Sequence, residues 1–417
     1  MKRDYLITLL STQILMLVNL VSFKLVTLFL GEHGFALYNI GRRTISVLYP
    51  LMMMGIGISL VRNIAMTSIE EHHKRHQILF NAVIPILFVA LFAIATVFFI
   101  PSVVATLLLG DGSLELLVLS IFIYVLGLSL CGLLQSFFRG RMQFVKTNLL
   151  GLFSGGLIPM SCILLFRTKI EHVYFAAGFT MISVFVVMYL SALDNAKIRG
   201  LYDASVLRTH LVYGLPRTPG DISFYMLLMV PSWWATHSYG LEVGGRVAFA
   251  CTILNLFASA ISPISFILLP KASAMFKNGK QAELKKLMIK LIMLSATVSV
   301  VGIIIIQLSI GTVIEFCLGK EYMGAVDLIR IVAIGTLPYS LFICLRSIVD
   351  AESTKPINSI ICMISLGFML SWDYLMQVLY NDSILLVVGL VISLYIVAIL
   401  SIIVSLNALK NKPSVCT

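Results

Sequence analysis

Charged residues are scarce in this 417-residue chain, and no stretch of it is long or polar enough to form a separate soluble domain. Aspartate, glutamate, lysine and arginine make up 12% of the residues, against about a quarter in soluble proteins. With 59% hydrophobic residues and a mean hydropathy of +1.01, the chain is not suited to water as its main solvent. The composition therefore indicates a protein embedded in a membrane.

Patterns typical of metal sites and disulfide frameworks are also missing. The seven cysteines show no CxxC or Cys/His spacing, and most of them lie within apolar runs. His72, His73 and His76 stand beside Lys74 and Arg75, as in a solvated basic turn. We therefore expect no metal, no disulfide and no cofactor.

The apolar runs are long and unbroken, which excludes the alternating pattern of a transmembrane β-barrel. Runs of the ~20 residues that cross a bilayer as a helix recur along the whole chain, which predicts an all-α integral membrane protein with about twelve transmembrane helices. The predicted spans one to twelve cover residues 5–29, 37–61, 78–100, 114–138, 148–166, 172–193, 210–234, 246–270, 287–309, 324–349, 358–379 and 384–407.

The basic residues are concentrated on one side of these predicted spans, which predicts that both termini are cytoplasmic. That side carries Lys2, Arg3, Lys74, Arg75, Arg139, Arg141, Lys146, Lys197, Arg199, Arg208, the cluster from Lys271 to Lys290, Lys355, Lys410 and Lys412, against Arg167, Lys169 and Lys320 on the other. The formal net charge of +11 is then explained by topology and by contact with anionic membrane lipids, rather than by nucleic-acid binding.

Two matched segments suggest an internal duplication. Gly34 precedes Arg62 by 28 residues and Gly244 precedes Lys271 by 27, and each interval contains a mid-span proline, Pro50 or Pro263. We therefore predict two six-helix bundles, residues 1–200 and 201–417, related by a pseudo-two-fold axis along the membrane normal. The seam between such bundles is the natural place for a cavity.

Predicted span seven begins with the segment GLPRTPG, residues 214–220. Pro216, Pro219 and Gly220 interrupt an ordinary helix there and release backbone polar groups, which is tolerated at membrane depth only against protein or water. We interpret the segment as a hinge or broken helix at the cavity.

Ionisable residues within predicted spans are costly and are functional candidates by default. The cations outnumber the acids by about two to one, which predicts a net-positive cavity suited to a polyanion such as a pyrophosphate. The cations are Lys24, Arg42, Arg43, Arg217, Arg246 and Arg330, and the acids are Asp221, Asp327 and Asp373.

Helical spacing leaves alternatives open for several of these residues. Lys24 shares a face with Gln13 and Thr27 and either lines the cavity or belongs to a buried pair. Arg42 and Arg43 point about 100° apart, so at most one of them faces the cavity squarely.

Three oppositely charged couples stand three or four residues apart and can form ion pairs, so function and simple self-neutralisation both remain possible. They are Arg217 with Asp221, Asp327 with Arg330, and Arg346 with Asp350. Asp221 and Asp327 are candidates for ion coupling or for pairing.

Four segments together resemble the polysaccharide transporter branch of the MOP superfamily, in particular the Wzx-type O-antigen flippases. They are GEHGFALYNIGRRTISVLYPLMMMGIGISLVRNIA, LLQSFFRGRMQF, VYGLPRTPGD and CLGKEYMGAVDLIRIVAIGTLPYSLFICLRSIVDAESTKPIN. The resemblance implies two bundles in a V-shaped, MATE-like arrangement around a cationic lumen. It also implies translocation of an undecaprenyl-pyrophosphate-linked oligosaccharide, an O-antigen or capsule repeat unit, to the periplasmic leaflet of the bacterial inner membrane.

The expected partners are then the lipid-linked oligosaccharide, membrane lipids, H⁺ or Na⁺ as a coupling ion, and the polysaccharide polymerase machinery. The main alternative is another MOP-superfamily exporter, of lipid II or of drugs. A membrane polymerase or glycosyltransferase is less favoured, because all the predicted external loops are short and leave little room for an enzyme site. The sequence therefore predicts a transporter rather than an enzyme.

Overall fold

The computed structural model describes residues 2–68, 70–193, 200–255, 268, 272, 275, 280–352 and 356–408. These residues are helical or lie in turns, and none of them is in a β-strand. The predictions for Lys197, Arg199, Pro263, Lys271, Lys355, Lys410 and Lys412, and the Asp350 side chain in its predicted pair with Arg346, lie outside the described part.

The helices of the described part follow one another along the chain. In chain order they are α1 (Lys2–Met53), α2 (Ile56–Met66), α3 (His72–Phe99), α4 (Pro101–Leu109), α5 (Glu115–Gly140), α6 (Phe144–Leu152), α7 (Ile158–Leu165), α8 (Ile170–Leu193), α9 (Ala204–Gly214), α10 (Thr218–Tyr239), α11 (described over 241–255), α12 (Gln281–Cys317), α13 (Val326–Ile334), α14 (Thr336–Glu352), α15 (Ile357–Leu379) and α16 (Ser383–Ala408). A π-helical turn (Phe153–Leu157) joins α6 to α7, and 3₁₀ turns (Leu215–Arg217 and Lys320–Ala325) precede α10 and α13.

Eight helices of the described part are long and apolar enough to cross a membrane, or up to nine if the bent pair Lys320–Ile334 and Thr336–Val349 is one span. One of the eight, Ile7–Met53, covers most of both of the first two predicted spans, and the end of the second falls in α2. The α12 helix extends well beyond the predicted ninth span at both ends.

The two halves of α1 are joined at a sharp reversal. Gly31 has φ 66° and ψ −166°, a conformation open to glycine but not to residues with a Cβ atom. Phe23, which precedes this glycine, packs against Phe35 and Tyr38, which follow it, and the ring centroids are 6.3 and 5.9 Å apart. The connection between the first two predicted spans, 5–29 and 37–61, is thus reduced to a single non-helical glycine, and the two helical segments lie side by side.

The helix of predicted span two is not broken at Pro50 but a few residues after it. Pro50 lies inside α1, but the helix ends at Met53, and Met54 and Gly55 have φ values of 44° and 66°. A Cβ atom on Gly55 would lie 2.5 Å from the carbonyl oxygen of Gly214. The break therefore brings two stretches of backbone into direct contact, which only glycine permits at either position.

The helices group into two units, Met1–Ile222 and Ser223–Thr417. In the first unit, α5 is the central helix, and 17 of its 26 residues are buried. In the second unit, one apolar core joins α12 and α14 through Leu284, Met288, Leu345 and Ile348. The six-helix composition of each bundle and their symmetry stay predictions.

The start of predicted span seven is fixed to the first unit. Asp203 caps α9 by accepting the backbone N–H of Ser205 at 2.8 Å, and hydrogen bonds from Ser205 hold the pKa of Asp203 below its ordinary value. Asn81 donates to the Leu201 carbonyl at 2.8 Å. The chain entering α9 is therefore held by both α9 and α3.

Candidate functional site

Arg42 lies among aromatic side chains in the first unit. Its guanidinium carbon is 5.1 Å from the centroid of the Phe23 ring and 5.6 Å from that of Tyr38, and its Nη1 donates to the Tyr38 hydroxyl at 3.3 Å. The Gly31 reversal produces this contact, because it sets Phe23 of the first span beside Tyr38 and Arg42 of the second.

Two further tyrosines complete what we call the Arg42 cluster: Arg42, Phe23, Tyr38, Tyr124 and Tyr174. Tyr174 of α8 stacks on Tyr38 at 6.0 Å and donates its hydroxyl to the Tyr38 carbonyl at 2.7 Å. Tyr124 of α5 packs edge-on against Tyr174 at 5.4 Å. A Cβ atom on Gly41 would lie 2.9 Å from the Tyr174 hydroxyl, so the glycine lets that ring approach.

Among the described residues no carboxylate pairs with Arg42; its polar and ring contacts are with the tyrosines and Phe23. A guanidinium over an aromatic ring is stabilised by roughly 0.5 to 2 kcal/mol. Taking one cation out of water costs several kcal/mol. Arg42 is only partly removed from solvent, so it bears part of that cost, and among the described residues no carboxylate offsets it.

The neighbouring Arg43 is in a different environment. It is 4% exposed, whereas Arg42 is partly exposed. Only one of the two adjacent arginines is therefore accessible to a ligand. The expectation that they differ in direction follows from helix geometry, but which of them is accessible depends on the surrounding helices.

Lys24 is exposed, in the half of α1 that precedes Gly31. The same side of the helix exposes Leu17, Leu20 and Leu28 by 61%, 40% and 66%. Within the described residues the Lys24 side chain has no ion pair or hydrogen bond. The alternative of a buried structural pair is therefore not what the structure gives, and its role in lining a cavity stays a prediction.

Arg217 contacts a tyrosine. It donates to the Tyr213 carbonyl at 3.1 Å, and its guanidinium carbon lies 4.2 Å from the Tyr213 ring centroid. Arg62 of α2 lies over the same ring at 4.9 Å. Two cations thus share one ring, a grouping that the sequence did not reveal because Arg62 precedes Tyr213 by some 150 residues. Asp221 is half-buried in the first turn of α10.

The remaining predicted cations belong to the second unit. Arg246 lies against the 3₁₀ turn before α13, where a Cβ atom on Gly324 would be 2.9 Å from its Nη1. Arg330 and Asp327 form the predicted ion pair at 3.5 Å, with side chains 43% and 78% exposed. Pairs as exposed as this one contribute little to stability.

The hinge segment retains a right-handed helical backbone. Gly214, Leu215 and Thr218 all have α-helical φ and ψ, and Pro216 stands at the start of the 3₁₀ turn between α9 and α10. Pro219 is exposed and Gly220 is buried at the beginning of α10. The helix is thus interrupted by a single tighter turn, and its action as a hinge stays a prediction.

Comparison with known proteins gives a structural likeness only. No family model matches the chain, and no curated protein matches it. An inward-facing multidrug resistance MATE family transporter of the MOP superfamily shares the fold with a TM-score of 0.73 and 14% identity, over 97% of this chain and 98% of that one. The chain has the MATE fold.

Two other MOP-superfamily transporters support this result. A transporter from Pyrococcus furiosus, described as having a binding pocket of reverse polarity that suggests a different function, has a TM-score of 0.69 and 14% identity over 98% of this chain and 96% of its own. An outward-facing multidrug resistance MATE transporter has a TM-score of 0.65 and 15% identity, over 97% and 94%. The MATE fold and the long apolar helices make the chain a multi-pass membrane protein.

Proposed function

We propose that this protein is a flippase that carries an undecaprenyl-pyrophosphate-linked oligosaccharide, an O-antigen or capsule repeat unit, across the bacterial inner membrane. The observation that carries the proposal is Arg42: a partly exposed cation at membrane depth, in contact with aromatic rings and, among the described residues, with no carboxylate partner.

The chemistry of the substrate explains why such a cation is needed. A pyrophosphate loses its hydration on entering a medium of low dielectric constant, and fixed donors must replace that water. At 4 Å a pair of opposite charges gains about 4 kcal/mol at an effective dielectric constant of 20. One arginine in fork geometry therefore replaces part of the lost hydration, and the Tyr38 hydroxyl, which accepts from Arg42, offers a further donor.

The other cations extend this path. Lys24 is one residue from Phe23 of the Arg42 cluster, while Arg62 and Arg217 share the Tyr213 ring. In this proposal the pyrophosphate moves between such cations, the glycan contacts polar helix faces, and the prenyl chain stays in lipid. Arg43 and Arg246 add further positive charge, whereas the charge of Arg330 is offset by Asp327. No covalent chemistry is needed.

The alternative exporters differ in the charge they require. A multidrug exporter for cationic compounds favours an acidic or apolar lumen. In this chain Arg42 of the first unit has no carboxylate partner among the described residues. The Pyrococcus furiosus transporter is described as having a pocket of reverse polarity and a different function. That precedent supports a MATE fold adapted to a substrate of another charge. The substrate of a lipid II exporter also carries a pyrophosphate, so that exporter would differ from the proposed flippase in the glycan it accepts.

The same proposal includes the orientation. Both termini are cytoplasmic, the coupling ion is H⁺ or Na⁺, and the periplasmic product passes to a polysaccharide polymerase. The proposed orientation rests on the excess of basic residues on one side of the predicted spans. Lys74, Arg75, Arg139 and Arg141, which are part of that excess, lie at the ends of helices or in the turns between them.

Complementation of a flippase-null strain tests the proposal. Arg42→Gln should lower surface polysaccharide by about tenfold to a hundredfold, because a charge-assisted hydrogen bond contributes about 1.5 to 3 kcal/mol. Arg42→Lys should retain more activity than Arg42→Gln, because it keeps the charge but loses the fork.

Arg167→Gln is the matched control. The Arg167 guanidinium also lies over a ring of the first unit, 4.7 Å from the Phe29 centroid, but the side chain is exposed just beyond the end of α7. It should complement fully. Immunoblots of the membrane fraction establish equal protein levels, and full complementation by Arg42→Gln would overturn the proposal.

A further inference from the structure

Asp373 of α15 is a fully buried acid in the second unit. Its side chain is 0% exposed, and neither carboxyl oxygen has a hydrogen-bond partner. Among the described residues it has no ion pair. Of the other two acids predicted within spans, Asp221 is half-buried and Asp327 is exposed, so Asp373 stands apart.

The carboxyl group occupies a space made for it by a glycine of the adjoining helix. A Cβ atom on Gly389 of α16 would lie 2.8 Å from Asp373 Oδ1 and 2.4 Å from Trp372 Cδ1. Trp372 donates its Nε1–H to the Leu385 carbonyl at 3.0 Å, which fixes the two helices at this level. Ser393 donates to the Gly389 carbonyl at 2.8 Å, so that acceptor is already used.

Apart from Ser393, the buried residues within about one helical turn of Asp373 and Gly389 on their two helices are apolar. They are Met369 of α15 and Leu386, Val387, Leu390 and Val391 of α16. An apolar lining of this kind supplies neither hydration nor hydrogen bonds to a carboxylate.

The titratable and charged groups of the packed elements lie elsewhere. On α16 the titratable group is Tyr395, six residues from Gly389 and so about 9 Å along the helix. On α14, Tyr339 donates to Asn255 at 2.7 Å, Cys344 lies 3.1 Å from Ser295, and the Arg346 carbonyl accepts from Asn358, fifteen residues before Asp373. The neighbouring Tyr374 and Asp382 are exposed.

The end of α10 contacts α15 one helical turn after Asp373. Tyr239, the last residue of α10, donates to Gln377 at 2.9 Å. The titratable group near that end of α10 is His237, which is exposed and bonded to the Trp233 carbonyl at 2.8 Å. None of these described groups supplies a cation against the Asp373 carboxyl.

An isolated ionised carboxylate in such a place costs far more than the neutral acid, and a group so placed takes up a proton instead. A metal ion would need several oxygen ligands. Within the described residues no group of three or more histidine, cysteine or acidic side chains could hold one. A proton needs no ligand besides the carboxyl itself, so it is the cation that suits this position.

We propose that Asp373 is a proton-binding site of the second unit, occupied while α15 and α16 are packed together at Gly389. Release of the proton leaves a carboxylate that requires water, so deprotonation is linked to separation of α15 from α16 at this glycine. The inference concerns a cation site and does not depend on which substrate is transported.

Infrared spectroscopy of the purified protein tests the site without any transport assay. At neutral pH the wild type should show the carbonyl stretch of a protonated carboxyl, and raising the pH should remove it. Asp373→Asn should lack that band at every pH. Asp382→Asn, which changes the exposed acid of the same helix connection, should retain it. A wild-type spectrum identical to that of Asp373→Asn in this region would overturn the proposal.

Thermal unfolding against pH gives a second readout. An unfolded aspartate ionises near pH 4, so a carboxyl kept neutral in the fold makes wild-type stability fall as pH rises above that value. Asp373→Asn and Asp373→Leu should lack this fall and melt at or above the wild type at pH 7. A wild type that instead gains stability over both variants with rising pH would show a charged, stabilised carboxylate and contradict the proposal.

Discussion

At the scale of single residues, burial and contacts decide what an ionisable side chain can do in a membrane protein. Arg42 and Asp373 are both at membrane depth, but one is bordered by aromatic rings and the other by aliphatic side chains. The Asp327–Arg330 pair is exposed and neutralised. Three charges that look alike in the sequence therefore lie in three different environments, and on these we base the proposals of an anion site at Arg42 and a proton site at Asp373.

His210 is a buried side chain that joins three helices of the first unit. Its Nε2 is 3.1 Å from the Ile78 carbonyl, an acceptor, so Nε2 carries the hydrogen and Nδ1 accepts from the Ser59 hydroxyl at 3.0 Å. Replacing His210 by Ala removes both bonds and leaves a cavity between α2, α3 and α9. We expect a loss of about 2 kcal/mol of stability, measured by thermal unfolding of the purified protein.

The control for His210→Ala is His237→Ala, since His237 is exposed. That variant should melt with the wild type. Equal melting temperatures for both variants would show that the His210 bridge does not hold α9 in place.

The sequence revealed which residues carry charge at membrane depth, but not what surrounds them. Helical periodicity places Tyr38 one turn from Arg42, so that neighbour was within reach of sequence reasoning. Tyr124 and Tyr174 come from α5 and α8, and only tertiary packing brings them to Tyr38. The unpartnered state of Asp373 likewise depends on α16, because a partner can come from any helix.

At the scale of helices, the closest packing in the first unit joins α5 to α8 through glycines. A Cβ atom on Gly178 would lie 2.6 Å from the backbone nitrogen of Tyr124, and one on Gly127 would lie 2.5 Å from the Gly178 carbonyl. Small residues at such crossings let helix backbones approach, which is how membrane helices gain contact when lipid is as apolar as their side chains.

Gly178→Ala should therefore destabilise the protein by about 1 to 3 kcal/mol, the usual cost of overpacking. Because the clash is with Tyr124 backbone, it should also disturb the Arg42 cluster and reduce complementation. Gly367→Ala in α15 is the matched control: nothing lies within 4 Å of its added Cβ, and alanine favours the helix by about 1 kcal/mol. Equal melting temperatures for the two variants would refute the close α5–α8 contact.

The apolar runs in the sequence predicted the positions of several long helices, but they did not predict where a helix is interrupted. The runs predict that α3, α5 and α8 cross the membrane, and each is long enough to do so. The π-helical turn at Phe153–Leu157 was missed. There Gly156 lies against Leu15 and Val18 of α1, and Ser154 accepts from Gln135 of α5 at 3.3 Å. Such an irregular turn depends on neighbouring helices and leaves no periodic signal in its own sequence.

At the scale of the whole molecule, the chain passes from the first unit to the second between Ile222 and Ser223, shortly after the GLPRTPG segment. On its first-unit side the connection is held: His210 is bonded to α2 and α3, and Gly214 touches the backbone of Met54 and Gly55. We therefore predict that the hinge lies after Gly214, where Pro216 and Pro219 remove two backbone N–H donors.

The double variant Pro216→Ala with Pro219→Ala tests this assignment. Alanine restores both donors and allows α9 and α10 to continue as one α-helix, which is stiffer than the 3₁₀ turn it replaces. The protein should insert and melt normally, but surface polysaccharide in the flippase-null strain should appear severalfold more slowly after induction. The loss would be in rate, because the Arg42 cluster is unchanged.

Pro85→Ala controls for the general effect of replacing a proline by alanine within a helix. Pro85 lies inside α3, which belongs wholly to the first unit. Its removal leaves the connection between the units as it was, so the rate of polysaccharide appearance should match the wild type at equal membrane level. A double variant as fast as Pro85→Ala would place the bending elsewhere. The anchoring of α9 by His210 would then serve stability alone, because a fixed helix next to a segment that need not bend has no mechanical part in transport.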